Sequence, residues 1–172
     1  MTRAFKIKFT GIIMAVVTYI AATLLLVSVD VYRGDDTTGI EHGDIIFSNR
    51  LAPKQNLIQR GDLVTFVFDD GSGERLMVRR IVGFPGEKVG VDGDGVWIND
   101  VKCTEDYVTG YLDDGFMVQI PEGQALAVCD YRSNEDYPAE IVSARNIVGT
   151  VFYSIRVPEA IKQLDLWEKL YS

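Results

Sequence analysis

The feature that most limits what this chain can form is an uncharged run of 19 residues, GIIMAVVTYIAATLLLVSV, from Gly11 to Val29. As a helix rising about 1.5 Å per residue, the run would be roughly 28 Å long, about the thickness of a bilayer's hydrocarbon core. No polar face interrupts it, as one would in a helix packed against a soluble core. The run therefore predicts a transmembrane helix over residues 11–29.

A cleaved signal peptide is the alternative interpretation of this run, because Arg3, Lys6 and Lys8 form a basic segment before it. The apolar segment of such a peptide is about 7–15 residues long and ends at a small-x-small cleavage site. This run is longer, and no such site closes it. We therefore expect an uncleaved anchor.

Charge predicts the orientation of the anchor. Residues 1–10 contain three basic side chains and no acidic one, whereas the segment after the run begins with Asp30. Cytoplasmic flanks of membrane helices are enriched in Lys and Arg, so we expect the N-terminus in the cytoplasm. The chain would then be a single-pass protein of the cell membrane, with a cytoplasmic tail over residues 1–10 and an extracytoplasmic domain over residues 30–157.

Beyond the tail the chain is strongly acidic. Of its 17 Lys and Arg residues three lie in the tail, which leaves 14 against 25 Asp and Glu and a formal charge of about −11. Nucleic-acid binding needs a basic surface, so this charge excludes it as a predicted function. We predict no cofactor and no metal. Cys103 and Cys129 could form a disulfide in an oxidising compartment, although the apolar context of Cys129 is also typical of a buried free thiol.

The extracytoplasmic domain is predicted to be mainly β. Short runs rich in Val, Ile and Phe alternate with Gly, Asp and Pro, and no helical periodicity is sustained between residues 30 and 155. Residues 69–73 suit a hairpin turn, and residues 84–86 suit a second turn. The candidate strands are Asp44–Arg50, Asp62–Phe68, Arg75–Gly83, Lys88–Val91, Val96–Asn99, Gly115–Ile120, Gln124–Asp130 and Asn146–Ile155.

Residues 158–172 differ from the domain before them. Pro158 and Glu159 suit a helix start, and apolar residues then recur at three- and four-residue spacing. We expect a short amphipathic helix that docks on the domain's own sheet, the alternative being contact with the membrane or a partner.

Three segments that follow the anchor in order resemble type I signal peptidases, the membrane-tethered serine peptidases that remove signal peptides with a Ser/Lys dyad. The first pairs GDIIF at Gly43–Phe47 with RGDLVTF at Arg60–Phe66, similar to the family's two Gly-Asp strand starts. The second, VRRIVGFPGEKV at Val78–Val89, resembles the Lys-Arg-Val-Ile-Gly-Leu-Pro-Gly-Asp box. The third joins IPEGQALAVCDYR at Ile120–Arg132 to IVGT at Ile147–Thr150, similar to the Gly-Asp-Asn-Arg box and the strand after it.

The resemblance implies a coiled, mostly antiparallel β-sheet domain of the signal peptidase/LexA-like type, carried on one N-terminal transmembrane helix and followed here by a short C-terminal helix. It also implies a ligand: an extended peptide, such as the signal peptide of a secreted or surface protein, lying in a groove with two shallow pockets for small side chains.

Both dyad positions depart from the family pattern. Counting back eight residues from Gly43 places the serine position at Asp35, and matching the preceding Gly-Asp pair places it at Asp36. The lysine position falls on Arg79, whose guanidinium stays protonated and cannot take a proton from a nucleophile. We therefore expect no intact catalytic residue and hypothesise an ion pair between Arg79 and one of the two carboxylates. The alternative is that Asp35 and Asp36 form a solvated turn.

Positions that support the site in the family are kept. Arg80 and Asp130 match a structural ion pair behind the dyad, and Asp136 matches a further acidic position.

These observations predict a signal-peptidase-like membrane protein that has lost proteolysis and acts as a peptide-binding or assembly factor, as degenerate members do in pilus or secreted-subunit assembly. The retained chemistry would be addition of an extended peptide to a sheet edge. The alternative is an active signal peptidase with displaced catalytic residues, with Thr37 or Ser48 as nucleophile and Lys54 as base. A structural anchor subunit that binds no peptide is a third candidate.

Overall fold

The computed structural model describes residues 3–33, 39–69, 71, 73–92, 95–103, 109–110, 115–132 and 139–163. These residues form two helices and a set of short strands, so the prediction of a mainly β chain is confirmed. The elements are α1 (Arg3–Leu26), β1 (Val27–Val31), β2 (Ile45–Asn49), β3 (Leu63–Asp69), β4 (Glu74–Gly83), β5 (Lys88–Asp92), β6 (Gly95–Ile98), β7 (Val101–Cys103), β8 (Thr109–Gly110), β9 (Phe116–Gln119), β10 (Gln124–Val128), β11 (Tyr131–Arg132), β12 (Ala139–Ser143), β13 (Ile147–Ile155) and α2 (Glu159–Lys162). Short 3₁₀ turns lie at Pro53–Gln55 and Ala144–Asn146.

The larger sheet has seven strands in the order β1-β2-β13-β3-β4-β10-β12, and all of its pairs are antiparallel. β3 and β4 form the hairpin predicted around residues 69–73, with Asp69 opposite Glu74 and Leu63 opposite Arg80. β13 runs through the middle of the sheet and pairs with both β2 and β3. The last strand before α2 thus joins the two halves of the sheet.

A smaller antiparallel sheet has the order β7-β6-β5-β9, and β8 and β11 form a short parallel pair. One core cluster joins the two larger sheets, because Val82, Leu126 and Val128 of the seven-stranded sheet pack with Val89 and Val91 of β5. Most of the remaining buried apolar residues form two further clusters against the seven-stranded sheet. Apolar residues on neighbouring strands therefore hold the two sheets together as one body.

A tight turn connects β4 to β5, as residues 84–86 predicted. Gly86 has a φ of +81°, and the Phe84 N–H donates to Glu87 Oε2 at 2.8 Å. Gly83 makes the close approach of the two strands possible, because a Cβ there would lie 2.7 Å from Val89 Cγ2. The Gly-Phe-Pro-Gly stretch is thus explained by strand packing and turn geometry.

The predicted anchor over residues 11–29 does not match the observed elements at its C-terminal end. α1 ends at Leu26, and the next five residues form β1, which pairs with β2 from Val27 opposite Asn49 to Val31 opposite Ile45. Valine at alternate positions favours a strand, and the pairing with β2 decides the outcome over the apolar content of the run.

The prediction of a transmembrane helix is not confirmed: in the described part of the chain, no helix has the length and apolarity needed to cross a membrane. The described side chains of α1 from Phe9 to Leu26 are all exposed.

The predicted C-terminal helix is described only at its start. α2 begins at Glu159, directly after Pro158, and the predicted continuation from residue 164 onward lies outside the described residues. Neither Cys103 nor Cys129 forms a disulfide.

Candidate functional site

Two adjacent arginines on β4 point to opposite faces of the seven-stranded sheet, because side chains alternate along a strand. Arg79 is 1% exposed and is the largest of the fully buried side chains in the described chain. Arg80 lies next to it and is partly buried. The position predicted for the general base thus carries a guanidinium enclosed by protein.

The Arg79 guanidinium is matched by a carboxylate from the far edge of the sheet. Its Nε lies 3.5 Å from Oε2 of Glu140 on β12, whose side chain is 18% exposed. One terminal nitrogen also donates to the Val78 carbonyl at 2.9 Å. The Nε–Oε2 contact is an ion pair without hydrogen-bond geometry, so Glu140 compensates the buried charge and the Val78 carbonyl accepts a hydrogen bond.

A buried thiol lies near the same guanidinium. Cys129 directly follows β10 and is fully buried. Burial raises the pKa of its thiol to about 11, while the nearby Arg79 charge lowers it by a smaller amount. A thiol with this pKa is protonated at neutral pH, so Cys129 does not have the properties of a nucleophile.

Arg80 and Asp130 form a bidentate ion pair. Arg80 Nε donates to Oδ1 at 2.6 Å, and a terminal nitrogen donates to Oδ2 at 2.5 Å. The other terminal nitrogen donates to the Gly61 carbonyl at 2.6 Å. The pair therefore joins β4, the residue after Cys129 and the turn before β3.

Three sequence-predicted positions lie outside the described residues: Asp35, Asp36 and Asp136. Described residues on either side of positions 34–38, which include Asp35 and Asp36, pack against β4. Tyr32 and Ile40 are buried in one cluster with Val78, the residue before Arg79. Because Val78 and Arg79 point to opposite faces of the sheet, Tyr32 and Ile40 lie on the face away from the Arg79 side chain.

Glu140 is the site residue that the sequence analysis missed. Residues 139–143, AEIVS, are too short and too mixed in polarity to stand out as a strand, and no motif of the resemblance includes them. The register places Glu140 opposite Ala127, so its side chain shares a face with residues of β10. The adjacent Ile141 and Val142 are the only signal that could have indicated β12.

Ser48, a nucleophile in the alternative of an active peptidase, is fully buried in β2. It lies opposite Ser28 of β1 and Val151 of β13. Its neighbour Asn49 is linked to the base position through the pairs Asn49–Thr150, Thr150–Val64 and Val64–Arg79. Since paired residues share a face and neighbours along a strand do not, Ser48 and Arg79 lie on opposite faces.

The remaining residues of that alternative are not brought together with Ser48. Lys54 is exposed at the first 3₁₀ turn, and Thr37 lies outside the described residues. Among the described side chains, no group of three His, Cys, Asp or Glu residues is arranged to hold a metal ion.

Among the described strands, β10 pairs with only part of the second edge of β4. β3 pairs with β4 from Glu74 to Arg80 on one side, while β10 takes the other side only from Arg80 to Gly83. No strand among the described residues pairs with this second edge between Glu74 and Arg79. A cavity of about 300 Å³ adjoins it, lined by Asp30, Val31, Arg33, Glu74, Arg75 and Leu76.

The comparisons with known proteins all find similarity to signal peptidases. A family model described as signal peptidase, peptidase S26, matches residues 3–155. Signal peptidase I U of Bacillus subtilis is 32% identical over 85 residues, which cover 44% of this chain and 44% of that protein. Signal peptidase I of Bacillus amyloliquefaciens is 26% identical over 125 residues, which cover 64% of each chain. Signal peptidase I of Streptococcus pneumoniae is 31% identical over 70 residues, which cover 41% of this chain and 31% of that protein.

These alignments therefore span between 31% and 64% of the relatives' own length. Among solved structures, a signal peptidase I from Enterococcus faecalis V583 is 24% identical, with a TM-score of 0.45, and the match covers 54% of this chain and 95% of that one.

Proposed function

This chain belongs to the signal peptidase family, peptidase S26, and from that premise we propose that it is a member without an intact Ser/Lys dyad. In this proposal it binds an extended peptide, the signal peptide or another segment of a secreted or surface protein, and does not cleave it. It would serve as a binding or assembly factor, of which pilus assembly is one instance.

The observation that carries the proposal is the state of Arg79. A general base must lose a proton near the working pH, and a buried lysine can do so because burial lowers its pKa. A guanidinium stays charged, and here it is 1% exposed beside the carboxylate of Glu140. A guanidinium cannot accept the proton of a neighbouring hydroxyl, so Arg79 cannot serve as the general base of a dyad.

Peptide binding is supported by the exposed edge at the start of β4, where Glu74 and Arg75 are exposed and Leu76 is half-buried, whereas residues 77–79 are buried. An added strand pairs its backbone with such an edge and presents alternate side chains to the flanking surfaces. The cavity beside Glu74 and Leu76 offers room for one of them.

Attachment to the membrane is part of the proposal, with the N-terminus in the cytoplasm and the β domain outside. It is supported by the exposed apolar side chains of α1, including Ile12, Met14 and Leu25, and by the basic residues among the first ten. Apolar surface of this extent is stable when lipid or a partner covers it.

The decisive experiment incubates the full chain, reconstituted in lipid vesicles, with a pre-protein peptide that carries an Ala-x-Ala site. We expect binding, measured by fluorescence anisotropy, and no cleavage in mass spectra. Cleavage at the site would contradict the proposal and support the active peptidase. Absence of both binding and cleavage would support a structural subunit.

A further inference from the structure

The acidic partner at the base position comes from a strand that none of the recognised motifs contains. Arg79 Nε lies 3.5 Å from Glu140 Oε2, and the two side chains are 1% and 18% exposed. Glu140 is opposite Ala127 of β10, and β10 lies between β12 and β4. Ions buried to this degree are screened only weakly by salt.

We infer that Glu140 is a built-in counter-ion of position 79, which holds a basic side chain there in its charged form whether that side chain is arginine or lysine. The inference rests on the proposed function, in which position 79 is the place of the family's general base. Its consequence is that replacing Arg79 by lysine does not by itself produce a base.

Two opposing effects act on a lysine at this position. Burial disfavours the ammonium form and lowers the pKa, as general-base catalysis by lysine requires. A carboxylate in contact favours the ammonium form and opposes that change. With Glu140 present the two effects compete, and neutralising Glu140 removes its contribution in favour of the ammonium form.

Three described neighbours of Arg79 differ from Glu140 in this respect. Cys129 is a neutral thiol at physiological pH, because burial raises its pKa to about 11. Asp130 is held by Arg80 in contacts of 2.6 and 2.5 Å. Val64, directly opposite Arg79 on β3, is apolar.

A lysine would also reach the carboxylate. Counted from Cβ, Nε is the fourth side-chain atom of arginine and the ammonium nitrogen is the fifth side-chain atom of lysine. A lysine ammonium therefore ends in the region where Arg79 meets Glu140. Glutamine in place of Glu140 keeps the size and the hydrogen-bonding capacity of the side chain and removes only its charge.

The test compares three variants of the full chain in detergent micelles: R79K, R79K/E140Q and the control R79K/E122Q, in which the exposed Glu122 is neutralised. Lysine labelled with ¹³C at the ε position identifies the new side chain as the signal absent from the wild type. Its pKa is then read from a pH titration. We expect the pKa to be lower in R79K/E140Q than in R79K by more than about one unit, and unchanged in the control. Equal pKa values in R79K and R79K/E140Q overturn the inference.

A second measurement applies if R79K/E140Q does not fold. Urea unfolding of wild type, R79M, E140Q and R79M/E140Q forms a double-mutant cycle. The inference expects the double variant to lose less stability than the two single variants together, and strict additivity overturns it. Neither readout depends on activity, so cleavage of a peptide by the wild type would refute the proposed function without deciding this inference.

Discussion

At the scale of single residues, the paired arginines of β4 have separate roles. Arg79 lies enclosed beside Glu140, whereas Arg80 joins three parts of the chain through Asp130 and the Gly61 carbonyl. A bidentate contact between partly buried ions is geometrically specific, and removing one partner leaves the other charge without its match.

We therefore expect Asp130→Asn to lower the free energy of unfolding by about 2–3 kcal/mol. The measurement is urea unfolding followed by tryptophan fluorescence. The control is Asp100→Asn, because Asp100 and Lys88 form an ion pair whose side chains are 76% and 44% exposed. That change should cost less than about 0.5 kcal/mol. Equal losses in the two variants would contradict the structural role of the Arg80–Asp130 pair.

Ser48 gives a prediction of the opposite sign. Its hydroxyl is buried and has no hydrogen-bond partner among the described residues. A buried polar group without a partner destabilises a fold, so Ser48→Ala should leave stability unchanged or raise it by up to about 1 kcal/mol. Thermal unfolding checks this, with Ser154→Ala on the exposed end of β13 as the control. A loss of more than about 1 kcal/mol in Ser48→Ala would contradict this prediction, because it would mean that the hydroxyl stabilises the fold.

At the scale of elements, the contact between β4 and β5 depends on a glycine that the family box contains. A Cβ at Gly83 would lie 2.7 Å from Val89 and 3.1 Å from Leu126, both inside the core that joins the two sheets. Gly90 provides a comparison on β5, since a Cβ there would meet its nearest atom at 3.6 Å.

Gly83→Ala is thus expected to destabilise the fold by about 1–3 kcal/mol, because side chains in the core must move to admit the methyl group. Gly90→Ala should change stability by less than about 1 kcal/mol. Chemical unfolding of both variants makes the comparison, and a larger loss in Gly90→Ala would show that the packing argument is wrong.

Sequence patterns were sufficient for the elements whose signals are local. The β3–β4 hairpin and the turn after Gly83 follow from Gly and Pro placement between apolar runs. β1 and β12 could not be recognised in this way. The valines of β1 continue an apolar run without a break, and only the partner strand β2 decides where helix becomes strand. Glu140 belongs to β12, so its contact with Arg79 depended on a pairing that no local pattern reveals.

At the scale of the whole molecule, the start of the β domain and its C-terminal segment are joined by ion pairs around Asp44. The Asp44 side chain is 3% exposed, and its Oδ1 accepts from the Val157 N–H at 3.0 Å and lies 3.4 Å from Lys162 Nζ. Lys162 also lies 3.2 Å from Glu159 and packs its stem against Gly43. The first turn of α2 therefore docks on the Gly-Asp motif at residues 43–44.

Lys162→Met should lower the free energy of unfolding by about 1–3 kcal/mol, because the buried Asp44 loses its ammonium partner. Burial lowers the pKa of Lys162, but Glu159 and Asp44 raise it by more, so that the pKa lies above its ordinary value of 10.5. A raised pKa means that the stabilisation is fully present below pH 10.5 and is lost as the pH rises through the folded-state pKa.

The difference in stability between wild type and Lys162→Met should accordingly be constant from pH 7 to about 10 and shrink at higher pH. The control is Lys54→Met, which removes an exposed lysine and should show a difference near zero throughout. A difference that grows with alkaline pH would contradict the sign of this argument.

The passage from α1 to β1 has a mechanical consequence. No residue separates Leu26 from Val27, and the Leu26 carbonyl already accepts a hydrogen bond from the Arg50 N–H at 2.9 Å. A rotation of α1 against the sheet at this junction would therefore break that hydrogen bond. The direction in which α1 ends is thus coupled to the register of β1 on β2, and a change in one costs a contact of the other.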